Sequence, residues 1–383
     1  MAKAPLAWDL GEETEKANQI RRLDFILFAL LVFDGVALVV APLNEIAFGL
    51  LALLALTRRP DRKVPLFFPV LLVGLVGVIA VSGFLNHVDG TRRVLHLVLY
   101  ALTAMFIASG RVHLKSAAWG LFAGLAINLV WGLVFITTAP YPNRLVGFIM
   151  DPNAAGLIFT TLGAVALSQI PPGRWRVILQ IIVVVAVVAT FSRTSLLALG
   201  LGYAWLILGH RIHPILGTGV LGGLIYGIAN LPDTWIRIGP WAERTGSDLL
   251  RDRILIQEQI IVAQSPVYGT GPGTAKVQLS ENVRLFFHSS YLALRAEGGW
   301  IALVCLMALL VILFWRLLWL GKQRSPWLEV AIIVLLTCAT NIGEALLTLQ
   351  AAVVLGFAMR HLILQREEPD LIPAHYRNRW EKL

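Results

Sequence analysis

The feature that most constrains this chain is a succession of apolar runs, most of them long enough to cross a bilayer. Spanning the hydrocarbon as an α-helix takes roughly 17–25 apolar residues, because each backbone N–H and C=O must find its partner within the segment. Reading the runs between Gly, Pro and charged residues predicts twelve spans, at 24–41, 43–57, 64–85, 92–109, 115–138, 154–170, 174–191, 194–209, 214–230, 288–320, 327–341 and 344–364. The second is short and the tenth long. Of 383 residues, 57% are hydrophobic and 14% charged, against roughly 25% charged in a soluble domain. So few polar residues cannot cover a core of this size, which implies lipid as the solvent. The expected fold class is an all-α integral membrane protein of about twelve transmembrane helices with one large outward loop. Residues 24–230 carry the first nine spans, 231–287 form the loop, and 288–364 carry the last three. Residues 1–23 and 365–383 are expected to be cytoplasmic segments. The run from Phe25 to Pro42 lacks a following small-residue cleavage site and reads as a retained first helix.

Lysine and arginine set the expected orientation. With the N-terminus inside, 21 of the 32 Lys and Arg fall in cytoplasmic segments, and six of the other 11 sit in the one long loop. Long loops translocate largely regardless of charge, and every short outward loop is poor in Lys and Arg apart from the pair Arg92-Arg93. The net charge of +9 therefore reads as an orientation signal matched to anionic inner-leaflet lipid, not as a nucleic-acid footprint. Trp315, Trp319 and Trp327 fit an interfacial belt. Cys305 and Cys338 lie in apolar runs and read as small hydrophobes. The outward loop holds one amphipathic stretch, Asp252–Gln264, with apolar Ile254, Leu255, Ile260, Ile261 and Val262. Ser265-Pro266 and the turn GTGPG, Gly269–Gly273, follow it.

Spans that run inward present their N-termini, with unpaired N–H groups and the positive end of the helix dipole, to the outer side. Four of these open on polar residues: Arg92-Arg93, Asp151-Pro152-Asn153, Ser192-Arg193 and His288-Ser289-Ser290. A helix N-terminus is a ready anion site, and an adjacent arginine adds a two-pronged phosphate donor. Several such ends facing one cavity would suit a diphosphate. The plainer readings stand beside this one. Asp151-Pro152-Asn153 also reads as a turn and N-cap, Arg92 and Arg93 as snorkelling residues, and His288 as an interfacial histidine. Arg193, flanked by Phe191 and the run Leu196–Leu201, is the hardest to explain without a function. Arg295 and Glu297 lie roughly 10–13 Å into the tenth span at 1.5 Å per residue, where a mutual or bundle-internal ion pair is expected. The outer side offers no closely spaced carboxylates, so no metal site is expected there.

Four segments in order resemble the O-antigen ligase/polymerase superfamily of bacterial membrane glycosyltransferases. Gly147-Phe148 through Asp151-Pro152-Asn153-Ala154-Ala155-Gly156 is similar to its G-x-x-x-(D/N)-P-N segment. Phe191-Ser192-Arg193-Thr194-Ser195 is similar to the Ser-Arg that opens a core helix. Arg253-Ile254-Leu255-Ile256, fifteen residues ahead of Gly269-Thr270-Gly271-Pro272-Gly273, resembles its loop signature. His288-Ser289-Ser290-Tyr291-Leu292 followed by Glu297-Gly298-Gly299 resembles H-N-x-Y-L followed by E-x-G. Asp252, Gln257 and Ser289 depart from the family's usual glycine, tryptophan and asparagine, and none of these changes removes a cation.

The resemblance implies a GT-C-type fold in the bacterial inner membrane, with its site facing the periplasm. It implies a metal-independent, inverting transfer without cofactor. The donor is a glycan on undecaprenyl diphosphate, and the acceptor is a sugar hydroxyl of lipid A–core or of a growing glycan. The family's essential groups carry over to Arg193, Arg253 and His288. The candidate diphosphate and substrate contacts are Arg193, Arg253, Arg92, Arg93, Arg144, Asn153, Arg284 and Tyr291. Two readings compete with O-antigen ligase: a polymerase using the same donor chemistry, and, from another class, a secondary transporter with an ion path through Arg295, Glu297 and Glu344.

Overall fold

The computed structural model describes residues 20–38, 41–230, 245–280 and 283–367. Most of the expected terminal segments 1–23 and 365–383, and residues 231–244 and 281–282 of the loop, lie outside these residues. Within them the chain is mostly helical. The α-helices are α1 (Arg22–Leu30), α2 (Leu43–Leu56), α3 (Phe67–Leu85), α4 (Thr91–Ala108), α5 (Leu114–Val134), α6 (Pro152–Gln169) and α7 (Arg174–Thr190). They continue with α8 (Arg193–Leu208), α9 (Pro214–Ala229), α10 (Thr245–Gln264), α11 (Ser290–Leu318), α12 (Pro326–Cys338) and α13 (Leu349–Glu367). Two short antiparallel hairpins accompany them, β1 (Ala37–Leu38) with β2 (Ala41–Pro42), and β3 (Lys276–Ser280) with β4 (Val283–Phe286).

Four helices, α3, α4, α5 and α11, are long and apolar enough to cross a membrane, and α2, α8, α9, α12 and α13 are shorter apolar helices. A helix that is apolar all round belongs inside a bundle. That describes α6, with fifteen of its eighteen residues buried, and α12, with eleven of thirteen. By contrast α3, α7 and α9 turn Val73, Ile181 and Leu216 outward, each more than half exposed. An apolar centre ringed by apolar outer faces is the arrangement a lipid solvent favours.

Consecutive helices run back and forth between two ends of the bundle. At one end Arg58 bonds the buried Asp24 carboxylate at 2.6 Å and the Arg111 carbonyl at 2.9 Å, and Arg360 pairs with Asp61. Arg324 holds Glu329 at 2.6 Å there, and the Trp205 indole N–H donates to the same carboxylate at 2.8 Å. The 19 residues of α3 carry the chain about 28 Å at 1.5 Å per residue to the other end. There Pro272 packs on Gly83 and Gly90, and the Ser290 N–H bonds the Ala339 carbonyl.

Two expected spans take a different form. The run 24–41 does not continue as one helix, because α1 stops at Leu30. Asp34 then accepts from the Asn44 side chain at 2.5 Å, and the Gly35 N–H donates to Phe148 O at 2.6 Å. A carboxylate and a glycine with tertiary partners end the helix that the apolar run alone predicts. The tenth run forms the single long helix α11, broken internally at Gly299, which has φ 69° and ψ −166°.

Candidate functional site

Three helix N-termini meet around the C-terminal end of α12. The first is that of α6. Asp151 has extended backbone, and its Oδ1 accepts the N–H groups of Asn153 and Ala154 at 2.8 Å each, while Pro152 occupies the first helical position. The Asp-Pro-Asn segment is therefore an N-cap, as its plainer reading expects. The segment before it is pinned by the Phe148 N–H, which donates to the buried Asn128 side chain at 2.8 Å.

The second N-terminus is that of α8. Phe191 takes a left-handed conformation, φ 49°, and turns the chain from α7 into Ser192-Arg193. Arg144 donates Nε to the Thr190 carbonyl at 2.9 Å, and Leu145 N–H to Ala189 O at 2.8 Å. Arg144 thus buttresses the turn that carries Arg193. Arg193 itself is half-buried. Behind it Ser195 Oγ bonds Ser192 Oγ at 3.0 Å, and a β-carbon on Gly156 of α6 would sit 2.2 Å from Ser195 Oγ, so the two helix starts are in close contact. Ser195 and Thr160 also hydrogen-bond the Cys338 thiol at the last residue of α12.

The third is that of α11. Ser290 donates its N–H to Ala339 O at 2.9 Å and its hydroxyl to Ile342 O, and it accepts from the Ala345 N–H at 2.8 Å. Tyr291 donates its hydroxyl to Leu336 O of α12 at 2.8 Å, which makes it a structural tie. A chain of contacts thus runs from Arg193 through Ser195, Cys338, Ala339 and Ser290 to His288. Asp151 is near enough to His288 to raise its proton affinity, and Arg251 of α10 near enough to lower it.

Electrostatics decide the state of His288. Burial and, after it, Arg251 outweigh Asp151 and push the imidazole down to about 4. It is therefore neutral at pH 7 and able to accept a proton. Above it lies Glu258 of α10, fully buried. The Glu258 carboxylate accepts the backbone N–H of His288 and, at 3.3 Å, that of Ser289. Burial outweighs these two donors and raises the carboxyl to about 7.

Residues 254, 258 and 262 form the buried stripe of α10, and Arg251 precedes them at helical spacing. Two residues at about 100° each place Arg253 nearly opposite Arg251, and Arg253 is exposed. Arg284 is also exposed, on β4, where its Nε donates to Gln278 across the hairpin at 3.1 Å. Arg251 and Glu258 did not stand out in the sequence. The signal that reveals them is the spacing 251, 254, 258, 262, which puts one cation and one acid on the same face as Ile254 and Val262.

The remaining predicted cations form a second cluster. Arg93 pairs with Glu297 and with Glu344, at 3.3 Å each, and the Gly273 N–H also bonds the Glu297 carboxylate. Arg92, 80% exposed, reaches Glu45 at 3.7 Å. The partner of Glu297 is therefore Arg93, while Arg295 lies over the Trp300 ring at 4.2 Å. Among the described residues no three His, Cys, Asp or Glu side chains are grouped closely enough to hold a metal ion. No family model matches the chain, and no curated protein matches it in sequence.

Proposed function

We propose that this chain is a membrane glycosyltransferase of the O-antigen ligase/polymerase type, and specifically a ligase. It carries a glycan from undecaprenyl diphosphate to a sugar hydroxyl of lipid A–core at the periplasmic face of the bacterial inner membrane. The twelve apolar runs then span the membrane in a GT-C-like arrangement, with α10 and the β3–β4 hairpin on the outer side. One observation carries the reading: the helices α6, α8 and α11, whose starts bear Asp151, Arg193 and a neutral His288, pack together at the C-terminal end of α12.

The chemistry follows from those groups. The acceptor oxygen forms a bond to the anomeric carbon and its proton passes to His288. The bond from that carbon to the diphosphate breaks, and its electron pair leaves on the diphosphate oxygen. Attack from the face opposite the leaving group inverts the centre. The diphosphate gains charge in the transition state, where preorganised helix ends and guanidinium groups stabilise it more than in the ground state. In this reading the transfer is metal-independent.

The test is donor binding and single-turnover transfer in proteoliposomes. Arg193→Lys keeps the charge but loses the planar fork, and should slow transfer by about 10²–10³. His288→Ala should leave donor affinity near wild type and slow the transfer step by about 10²–10⁴. Glycan appearing on lipid A–core marks a ligase, whereas lengthened lipid-linked glycan marks a polymerase with the same chemistry. Wild-type protein that binds a polyprenyl-diphosphate glycan no better than an unrelated membrane protein would sink both.

A further inference from the structure

We propose that Glu258 is the positioning residue of this site: its buried carboxylate, bonded to the backbone N–H groups of His288 and Ser289, fixes where His288 presents its imidazole. The inference rests on the reading of His288 as the proton acceptor. Glu258 sits 30 residues before His288, on the loop helix α10, and has no solvent exposure. The two N–H groups it takes are not those of the first turn of α11. Ser289 already caps that turn through its own hydroxyl, which accepts from Leu292 N–H at 3.4 Å. Glu258 instead serves the residues just ahead of the helix, at the bend where the chain leaves β4 and turns past His288.

Two physical points separate this from a packing contact. From Ile254 to Val262 the buried stripe of α10 is otherwise apolar, with these two residues closing on Phe287, Ala296, Ala275 and Val277. A buried carboxylate there is unfavourable by several kcal/mol unless its partners offset it, and packing alone would be met by leucine. The contact is also directional. An ionised carboxylate accepts two N–H groups at once, holding the two peptide planes that flank His288 against rotation, and its charge faces the positive end of α11. The imidazole leaves the backbone at that held residue, within reach of the charges of both Arg251 and Asp151.

The experiment compares Glu258→Gln, Glu258→Asp and Glu258→Leu with wild type in the full chain, using Gln259→Ala, on the exposed face of α10, as control. One readout needs no enzymatic activity: the rate of carbethoxylation of His288 by diethyl pyrocarbonate, resolved by peptide mass spectrometry. The other is kcat and KM for transfer. Glutamine can accept only one of the two N–H groups and points its own donor at the other. Glu258→Gln and Glu258→Leu should therefore change the His288 modification rate several-fold. They should lower kcat by about 10²-fold, as a 1 Å misplacement does, with KM within about twofold. Glu258→Asp should recover part of both. If folded Glu258→Gln retains wild-type His288 reactivity and wild-type kcat, the proposal is overturned. Altered His288 reactivity in a chain whose wild type transfers no glycan would support the positioning role and remove the proposed reaction instead.

Discussion

His288 sits in an environment strongly at odds with its free chemistry. An unperturbed histidine is half-protonated near pH 6.5, but burial and Arg251 hold His288 down to about 4, while burial holds Glu258 up to about 7. The direction of each shift predicts a pH profile. Activity that needs neutral His288 persists through pH 6.5 and is lost only as pH falls through about 4. Activity that needs an ionised Glu258 weakens earlier, as pH falls through about 7. Transfer plotted against pH should thus fall in two steps on acidification, and Glu258→Gln should remove the upper step and keep the lower. A single step near 6.5 in wild type would contradict the buried, cation-flanked imidazole. At this scale the sequence announced His288 and Arg193 through their positions just ahead of apolar runs. It did not announce Arg251 over Arg253, because only the rotation of α10 about its axis distinguishes two arginines two residues apart.

At the scale of the element, α11 is the informative case. It breaks at Gly299, and the segment Val267–Gly271 repairs the break. Thr270 N–H takes Ala296 O at 2.7 Å, Gly271 N–H takes Glu297 O at 3.2 Å, and Val267 O accepts Trp300 N–H at 2.9 Å. The loop thereby replaces the internal bonds that the kink forfeits, which is how an interrupted helix survives away from water. The backbone of Gly299 lies in a region open essentially to glycine alone, and a β-carbon there would sit 1.8 Å from Val267 O. Gly299→Ala should therefore lose about 1–3 kcal/mol to backbone strain alone, and more as the Val267 carbonyl is displaced. Gly222→Ala on α9, where a β-carbon meets nothing within 4 Å, should be neutral or stabilising by about 0.5–1 kcal/mol. Thermal unfolding in detergent checks both, and equal midpoints for the two variants would refute the account. The GTGPG turn was visible in the sequence and Gly298-Gly299 entered only through the resemblance, while their mutual insertion was not legible at all.

Across the whole molecule, the two ends of the bundle differ in kind. One end is tied by buried or half-buried ion pairs, Asp24 with Arg58, Asp61 with Arg360, and Glu329 with Arg324. The other gathers the helix N-termini and the loop helix. The proposed orientation puts the first in the cytoplasm. In a background lacking Cys305 and Cys338, Gln257→Cys should react with an impermeant thiol reagent added from the periplasmic side, and Thr57→Cys only after permeabilisation. Both positions are exposed in the fold, so the reverse pattern would place the candidate site on the wrong side of the membrane for a lipid-linked periplasmic glycan.

By itself the sequence determined the helical character of the chain, the apolar composition of its spans and where most helices begin and end. Apolar run length and punctuating charges act locally, and a bilayer leaves the backbone little choice but to satisfy itself. Only the tertiary structure decided which cations share a site. Arg93 goes to Glu297 and Glu344, Arg144 to a backbone carbonyl, and Arg251 to the neighbourhood of His288. An arginine's partner depends on how separate helices rotate and pack against one another, and no run of neighbouring residues encodes that.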